Sequence, residues 1–239
     1  MRIAVLSDIH ANLPALDAIL AGLGTVDALW QLGDVVGYGP HPDEVVDRLR
    51  ERGAIGVRGN HDAAALGDLA TEWFNTDARR AIEWTARRIG PRTRAWLARL
   101  GDRLVVGDVT LVHGSPRDPW EYVTGASVAQ VNLASFTTPY LLHGHTHVPI
   151  AFRQDGGRIE TLRPSPGSAL VLDARRLLVN PGSVGQPRDG DPRASALVYD
   201  TEARSMTWLR VPYPIRETQA AMRAAGLPSR LVARLDYGM

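Results

Sequence analysis

Three features of the chain predict an α/β fold. Over the first sixty residues, short apolar runs of strand length alternate with segments whose apolar residues recur at helical spacing. The first of them, Ile3 to Leu6, is apolar throughout, as a strand buried on both faces is. From Leu104 onward the texture changes to closely spaced short strands. Strands joined by helices imply parallel neighbours with right-handed crossovers.

Ile3 to Leu6 is the first strand. Asn12 then caps a helix carrying Leu13, Leu16, Ile19, Leu20 and Leu23, with Pro14 tolerated in its first turn and Gly24 closing it. Ala28 to Leu32 reads as a second strand, His41 to Arg52 as a helix stopped by Gly53, and Ala54 to Val57 as a third strand. Residues 62–100 read as mostly helical, with Arg pairs at 79–80 and 87–88 facing water. Leu104–Val106 and Val109–His113 form a hairpin around Gly107-Asp108. Short strands follow at Tyr140–His143, Ile150–Arg153, Arg158–Leu162, Ala169–Asp173, Leu177–Asn180, Ala196–Asp200 and Ser205–Leu209. A surface helix from Ile215 to Leu227 ends the pattern.

The bulk composition removes several functions. The chain of 239 residues, 44% apolar, supports one domain over 1–239 with a helical tail from about 215. Its 27 basic and 26 acidic side chains leave a net charge of +1, so no broad field attracts nucleic acid or membranes. Without cysteine there is neither a disulfide nor a thiolate metal site. No apolar run suits a signal peptide or a bilayer span, so the expected location is the cytoplasm. Oligomeric state is left open, with a homo-oligomer among the alternatives.

Five polar clusters carry the chemistry: Asp8-Ile9-His10, Gly33-Asp34, Gly59-Asn60-His61-Asp62, His113-Gly114 and Gly144-His145-Thr146-His147. Each sits just after an expected strand, and side chains at the carboxyl ends of neighbouring strands converge on one crevice. An Asp and a His two residues apart on an extended turn can face one ion. Donor nitrogen and oxygen without thiolate suit manganese, iron, zinc or nickel better than calcium. His143 reads as structural; His41 reads as a capping or surface residue, with lining of the substrate pocket the alternative; Asn180 and Ser183 either approach the metals or make the turn. Arg58 and Arg188 are candidates for steadying a phosphate oxygen.

In this order the five clusters resemble the signature of the calcineurin-like metallophosphoesterases. The runs Gly33-Asp34-Val35-Val36-Gly37-Tyr38-Gly39-Pro40 and Asn180-Pro181-Gly182-Ser183-Val184-Gly185 are similar to its compact prokaryotic phosphodiesterase branch. The resemblance implies a four-layer fold, a two-sheet mixed β-sandwich flanked by helices. It implies two divalent transition-metal ions, manganese foremost. Asp8, His10 and His147 would hold one; Asn60, His113 and His145 the other; Asp34 would bridge them. His61 would face the substrate as a general acid, with Asp62 either orienting it or capping a helix; Asn60 and Arg188 would contact substrate.

The expected reaction is hydrolysis of small phosphate esters, phosphodiester or nucleotide-type, by a metal-bridging hydroxide. A phosphomonoesterase or a protein Ser/Thr phosphatase on the same core is an alternative. The protein phosphatase is weakened by Val35-Val36-Gly37 after Asp34, where that branch carries Asp-Arg-Gly, and by Asp62 in place of Glu. A non-catalytic protein-binding module on the same scaffold is the remaining alternative. The presence of His61 and all seven ligand candidates favours an enzyme. Protonation of histidine ligands predicts loss of metal below about pH 6.5.

Overall fold

The protein, described over residues 1–239 in a computed structural model, is built on two six-stranded mixed sheets. The first contains β1 (Arg2–Leu6), β2 (Ala28–Gln31), β3 (Ile55–Gly56), β9 (Ala169–Val171), β11 (Ala194–Asp200) and β12 (Ser205–Val211), in the order β3-β2-β1-β11-β12-β9. The second contains β4 (Arg103–Val106), β5 (Val109–Val112), β6 (Tyr140–Leu142), β7 (Ile150–Asp155), β8 (Arg158–Leu162) and β10 (Leu177–Asn180), in the order β4-β5-β6-β10-β7-β8.

The apolar runs pack as their two-residue period requires. In β1, Ile3 and Val5 point between the sheets, while Ala4 and Leu6 point to the helices outside. In the second sheet, Leu111, Leu142 and Val179 meet the first sheet, and Val112, Leu141 and Leu178 face outward beneath α6 (Ala126–Asn132). Helices α1 (Leu13–Gly22) and α2 (Pro42–Glu51) cover the first sheet's outer face with Leu16, Ile19, Val45, Val46 and Leu49. Four layers result, as expected for the two-sheet sandwich. α3 (Asn60–Leu66), α4 (Thr76–Arg88) and α5 (Pro91–Leu97) occupy the expected helical region.

Strand direction places the site. β1, β2 and β3 are mutually parallel, as are β5, β6 and β10, while β11 runs antiparallel to β1. The third strand shrinks to Ile55–Gly56, its continuation being a single bridge from Val57 to Gly101.

The C-terminal tail departs from the expected surface helix. It forms two helices, α7 (Ile215–Ala224) and α8 (Ser229–Arg234), and α7 buries Thr218, Gln219 and Met222. Burial of such polar residues is affordable because each finds a partner. Thr218 donates to Asn12 Oδ1 at 2.9 Å, and Gln219 donates to Val232 O at 3.0 Å and to Asp236 Oδ2 at 2.8 Å. Met222, Leu231, Val232 and Leu235 pack with Tyr38, Ala78 and Ala81, bringing the tail alongside the loops that follow β2. No helix is long and apolar enough to cross a membrane.

Candidate metal centre

All five clusters meet at one edge of the sandwich, beyond the carboxyl ends of β1, β2, β3, β5 and β6. Asp8, His10, Asp34 and His147 place ligand atoms within 4.8 Å of one another, and Asp34, His113 and His145 form a second group by the same measure. Asp34 belongs to both. Its Oδ2 lies 3.6 Å from His10 Nε2 and 3.5 Å from His113 Nε2. Its Oδ1 accepts the His61 backbone N–H at 2.8 Å, which fixes the carboxylate between the groups. Asn60 joins the second group, with Oδ1 at 3.1 Å from His113 Nε2.

Backbone carbonyls orient the imidazoles. His10, His113 and His147 direct Nδ1 at the carbonyls of Val36 (3.2 Å), Leu32 (2.8 Å) and Gln186 (2.6 Å). A ring nitrogen beside a carbonyl carries the proton, so in the neutral, metal-binding form each presents a bare Nε2 inward. His145 is reversed: Nε2 donates to Trp120 O at 3.1 Å and Nδ1 faces His113 Nε2 at 3.0 Å. The Nε2 atoms of His10 and His147 sit 3.2 Å apart. Two lone pairs so placed repel unless a cation lies against them. Asp8 Oδ2 accepts from Ser7 Oγ at 2.7 Å and from the His145 N–H at 3.1 Å, whereas Oδ1 is buried without a hydrogen-bond partner. A buried carboxylate oxygen set 3.2 Å from His147 Nε2, among bare imidazole nitrogens, fits a divalent metal.

The local backbone is bent to make this convergence. Asp8, His10, Asp34, His145 and His147 all have left-handed φ, between 49° and 67°. Such conformations cost a non-glycine residue about 1–2 kcal/mol each, and strain of this kind gathers at functional sites. Of the eight non-glycine residues with positive φ, only Arg204 lies away from these loops. At Gly33 (φ +89°) a Cβ would stand 2.6 Å from the Gly59 nitrogen and 2.8 Å from His113 Nδ1, so only glycine lets the loops after β2 and β3 touch. The glycine of Gly144-His145 is equally constrained, since a Cβ there would collide with Ser7 Oγ.

The electrostatics follow from burial and pairing. Burial alone would raise Asp34, but His113 and His61 beside it hold the carboxyl well below the usual range. Burial opposes charge on His113 too, yet Asp34 raises it to about 9. His10, His145 and His147 are pushed down by burial, His145 to about 3, so they stay neutral.

His61 lies outside both ligand groups. Its ring sits between Tyr38 (centroids 4.4 Å) and the edge of Phe74 (5.2 Å), with His10 at 4.9 Å. Its Nδ1 is buried beside Gly37 without a partner, and the ring borders the large pocket that opens from the metal edge. Burial lowers it to about 4. Asp62 is not placed where orienting His61 would require. Its carboxylate accepts the N–H groups of Val36 and Gly59, both at 3.0 Å, which caps the start of α3 and ties it to the loop after β2. Of the two readings of Asp62, these contacts favour the cap, since both carboxylate oxygens are taken up by main-chain N–H groups.

The remaining candidates separate clearly. Asn180 and Ser183 brace the turn after β10: Asn180 donates to Gly144 O at 2.7 Å, and Ser183 donates to Asp8 O at 2.8 Å. His143 is buried near Asn180, and His41 occupies the N-cap of α2. Arg58 is engaged by Asp68 and Asp102 and does not border the pocket, whereas Arg188 does. Sequence reasoning passed over three aromatic neighbours. Tyr38 packs on His10 at 4.6 Å, Phe74 on His61, and Tyr122 stacks on His145 at 3.8 Å. Only the position of Tyr38, four residues after Asp34, was a usable signal.

Comparison with known proteins agrees with this geometry. Residues 1–204 match the calcineurin-like phosphoesterase superfamily domain. A metallophosphoesterase from Sphaerobacter thermophilus superposes with a TM-score of 0.92 at 47% identity, covering 100% of this chain and 99% of that one. An uncharacterised protein of Methanocaldococcus jannaschii is 34% identical over 99% of this chain and 98% of its own length. The phosphodiesterase YfcE of Escherichia coli is 28% identical over 86% of this chain and 91% of its own. With its strand-end His and Asp groups, its double sheet and this match over most of its length, the chain belongs to the calcineurin-like phosphoesterase superfamily and is a metal-dependent phosphoester hydrolase.

Proposed function

We propose that the protein is a dinuclear phosphoesterase acting on small phosphate esters of the phosphodiester or nucleotide type. Asp8, His10 and His147 hold one divalent transition-metal ion, and Asn60, His113 and His145 the other. Asp34 serves both, and manganese is the first choice ahead of iron, zinc and nickel. The observation that carries this reading is Asp34 Oδ2, set nearly equidistant from His10 Nε2 and His113 Nε2 at 3.6 and 3.5 Å. Two divalent cations there would supply a Lewis-acidic clamp for phosphoryl oxygens and a water activated near neutral pH.

The chain's own residues do the rest. Asp8 and Asp34 contribute two negative charges against four from the cations, so the pocket stays cationic and draws an anionic phosphoryl group. His61 stands at the pocket side of the ligands, where it can hand a proton to the departing oxygen. Burial keeps it neutral without a ligand, and a phosphate anion beside the ring favours its protonated form. Asp62 acts through the backbone, holding the loops of Asp34 and His61 in register. The pocket of about 1090 Å³ is at the upper end for a small-molecule site, and its size and the likeness to a phosphodiesterase support esters larger than a simple monoester. The tail borders the same pocket, which supports treating residues 1–239 as one working unit.

The test is metal analysis of purified protein beside hydrolysis of bis-p-nitrophenyl phosphate and p-nitrophenyl phosphate after reloading with single metals. The expected result is two ions per chain and faster turnover of the diester. One ion per chain at full activity would overturn the dinuclear reading.

A further inference from the structure

The pocket's outer wall holds a second cationic group that the metal chemistry does not use. Arg188, Arg230 and Arg234 all border it, the last two from α8. Most other arginines with a carboxylate near them are paired, such as Arg58 with Asp68, Arg153 with Glu160 and Arg210 with Asp189. None of these three has an Asp or Glu within ion-pair distance. Arg188 donates to Gln186 Oε1 at 2.9 Å and lies 3.4 Å from the Tyr38 hydroxyl, but its Nε is buried with no partner. Arg234 uses Nε on the main-chain oxygen of Met239, and its two terminal nitrogens make no hydrogen bond within the protein. Burial lowers the Arg234 guanidinium to about 10, with smaller contributions from Arg188 and Arg230. Guanidinium groups bordering one pocket, with no Asp or Glu side chain paired to them, are relieved by an anion.

The position of the pair says which anion. Tyr38 packs its ring on His10 and His61 and turns its hydroxyl to Arg188, whose backbone N–H donates to His147 O at 3.3 Å, so Arg188 stands beside the metal ligands. Arg234 lies beyond it. The phosphoryl group on the metals is served by the His and Asp ligands, so a further guanidinium bordering the same pocket suits a second, linked phosphate. Around these charges the rim is aromatic: Trp73 is 89% exposed, Tyr237 is 61% exposed, and Phe74 and Tyr122 border the same space. Exposed rings on a pocket rim suit the flat face of a base.

We infer that Arg188 and Arg234, with Arg230 at the mouth, form a second anion subsite that selects a nucleotide carrying two linked phosphates. The inference deepens the proposed phosphoesterase reading and rests on it for the placement of the first phosphate.

The manganese-loaded enzyme is assayed on bis-p-nitrophenyl phosphate with two inhibitors, AMP and the non-hydrolysable α,β-methylene-ADP. Wild type should bind the diphosphate about tenfold more tightly than AMP, the scale of one charge-assisted contact. Arg234→Gln should shrink that preference to about twofold, Arg234→Lys should keep part of it, and the exposed Arg230→Gln should lower it by less. No preference in wild type, an unchanged preference in Arg234→Gln, or equal weakening of both inhibitors overturns the subsite. If the ester is not hydrolysed at all, the phosphoesterase reading fails separately, and calorimetric titration of the same two nucleotides still decides the subsite by the same ratios.

Discussion

The inner and outer halves of the pocket are built on different principles. Inside, Asp8, His10, Asp34 and His113 are at most 1% exposed, sit on turns leaving parallel strands, and are fixed by main-chain carbonyls and N–H groups. Outside, the wall comes from the turn Thr71–Trp73, the segment around Trp120 and Tyr122, and α8, with rings and guanidinium groups open to solvent. The inner half spends backbone strain to place donor atoms where their mutual repulsion needs a cation. The outer half holds its groups by ordinary packing and can change without touching the chemistry. Reaction type therefore resides in the strand ends, and substrate choice in the short helices and turns.

The sharpest way to break this division is to remove the group shared by both ligand sets. Asp34→Asn takes away one of two negative charges and leaves an amide against His10 and His113 Nε2. Metal content should fall from two ions to less than one, and turnover of bis-p-nitrophenyl phosphate by at least about 10³, since metal stabilisation is worth several kcal/mol. Elemental analysis and kcat are the measurements. Near-normal activity with full metal would mean that Asp34 is not the bridge.

His61 lies on the boundary, near the metal ligands yet unengaged by them. His61→Ala should retain metal and lose about 10²-fold in kcat on an alkyl ester, with a much smaller loss on a nitrophenyl ester. A nitrophenolate leaves without a proton, an alkoxide does not. Equal losses on both would remove the general-acid role and make His61 a phosphate contact.

Much of the inner half is legible in the sequence, for physical reasons. Its side chains come in pairs and runs such as Asp8-x-His10 and Gly59-Asn60-His61-Asp62, and an apolar run before each marks a buried strand. What the sequence hides is how groups are satisfied. Asp62 looks equally suited to His61 and to a helix cap, and only the two buried N–H groups it meets decide the matter. The tail hides for the opposite reason. Thr218 and Gln219 look like surface residues until Asn12, Val232 and Asp236 are seen to receive their hydrogen bonds. Arg230 and Arg234 reach the pocket through tertiary packing of α8, for which no local pattern exists.

The inner half can also be sharpened by its proton balance. Reading histidines at their ordinary value places metal loss below about pH 6.5. In the folded chain Asp34 raises His113 to about 9, so this ring is protonated at neutral pH without metal. The shift is upward, so the protonated form persists until the pH passes about 9, and a metal must displace that proton first. His10, His145 and His147 are shifted downward and are already neutral, releasing none. Apparent metal affinity should therefore rise about tenfold per pH unit from neutral towards the His113 value and then level off. Calorimetric titration in two buffers of different ionisation enthalpy should give about one proton released per chain at neutral pH. Release of none would contradict the His113–Asp34 pairing.

The smallest effect belongs to the outer wall. Trp73 is 89% exposed, so Trp73→Ala removes almost no buried area, and stability should change by less than about 0.5 kcal/mol. If the ring instead stacks on the leaving group, KM for a nitrophenyl or nucleoside ester should rise by about two- to tenfold, the worth of one aromatic pair. A methyl ester, with no ring to stack, should lose less, and kcat should move little on either because Trp73 borders the pocket and stands apart from the ligand groups. A fall in kcat shared by all esters would place Trp73 with the inner half and erase the boundary drawn above. A thermal melt beside the kinetics separates that outcome from lost folding, because a residue so exposed has almost no packing to lose.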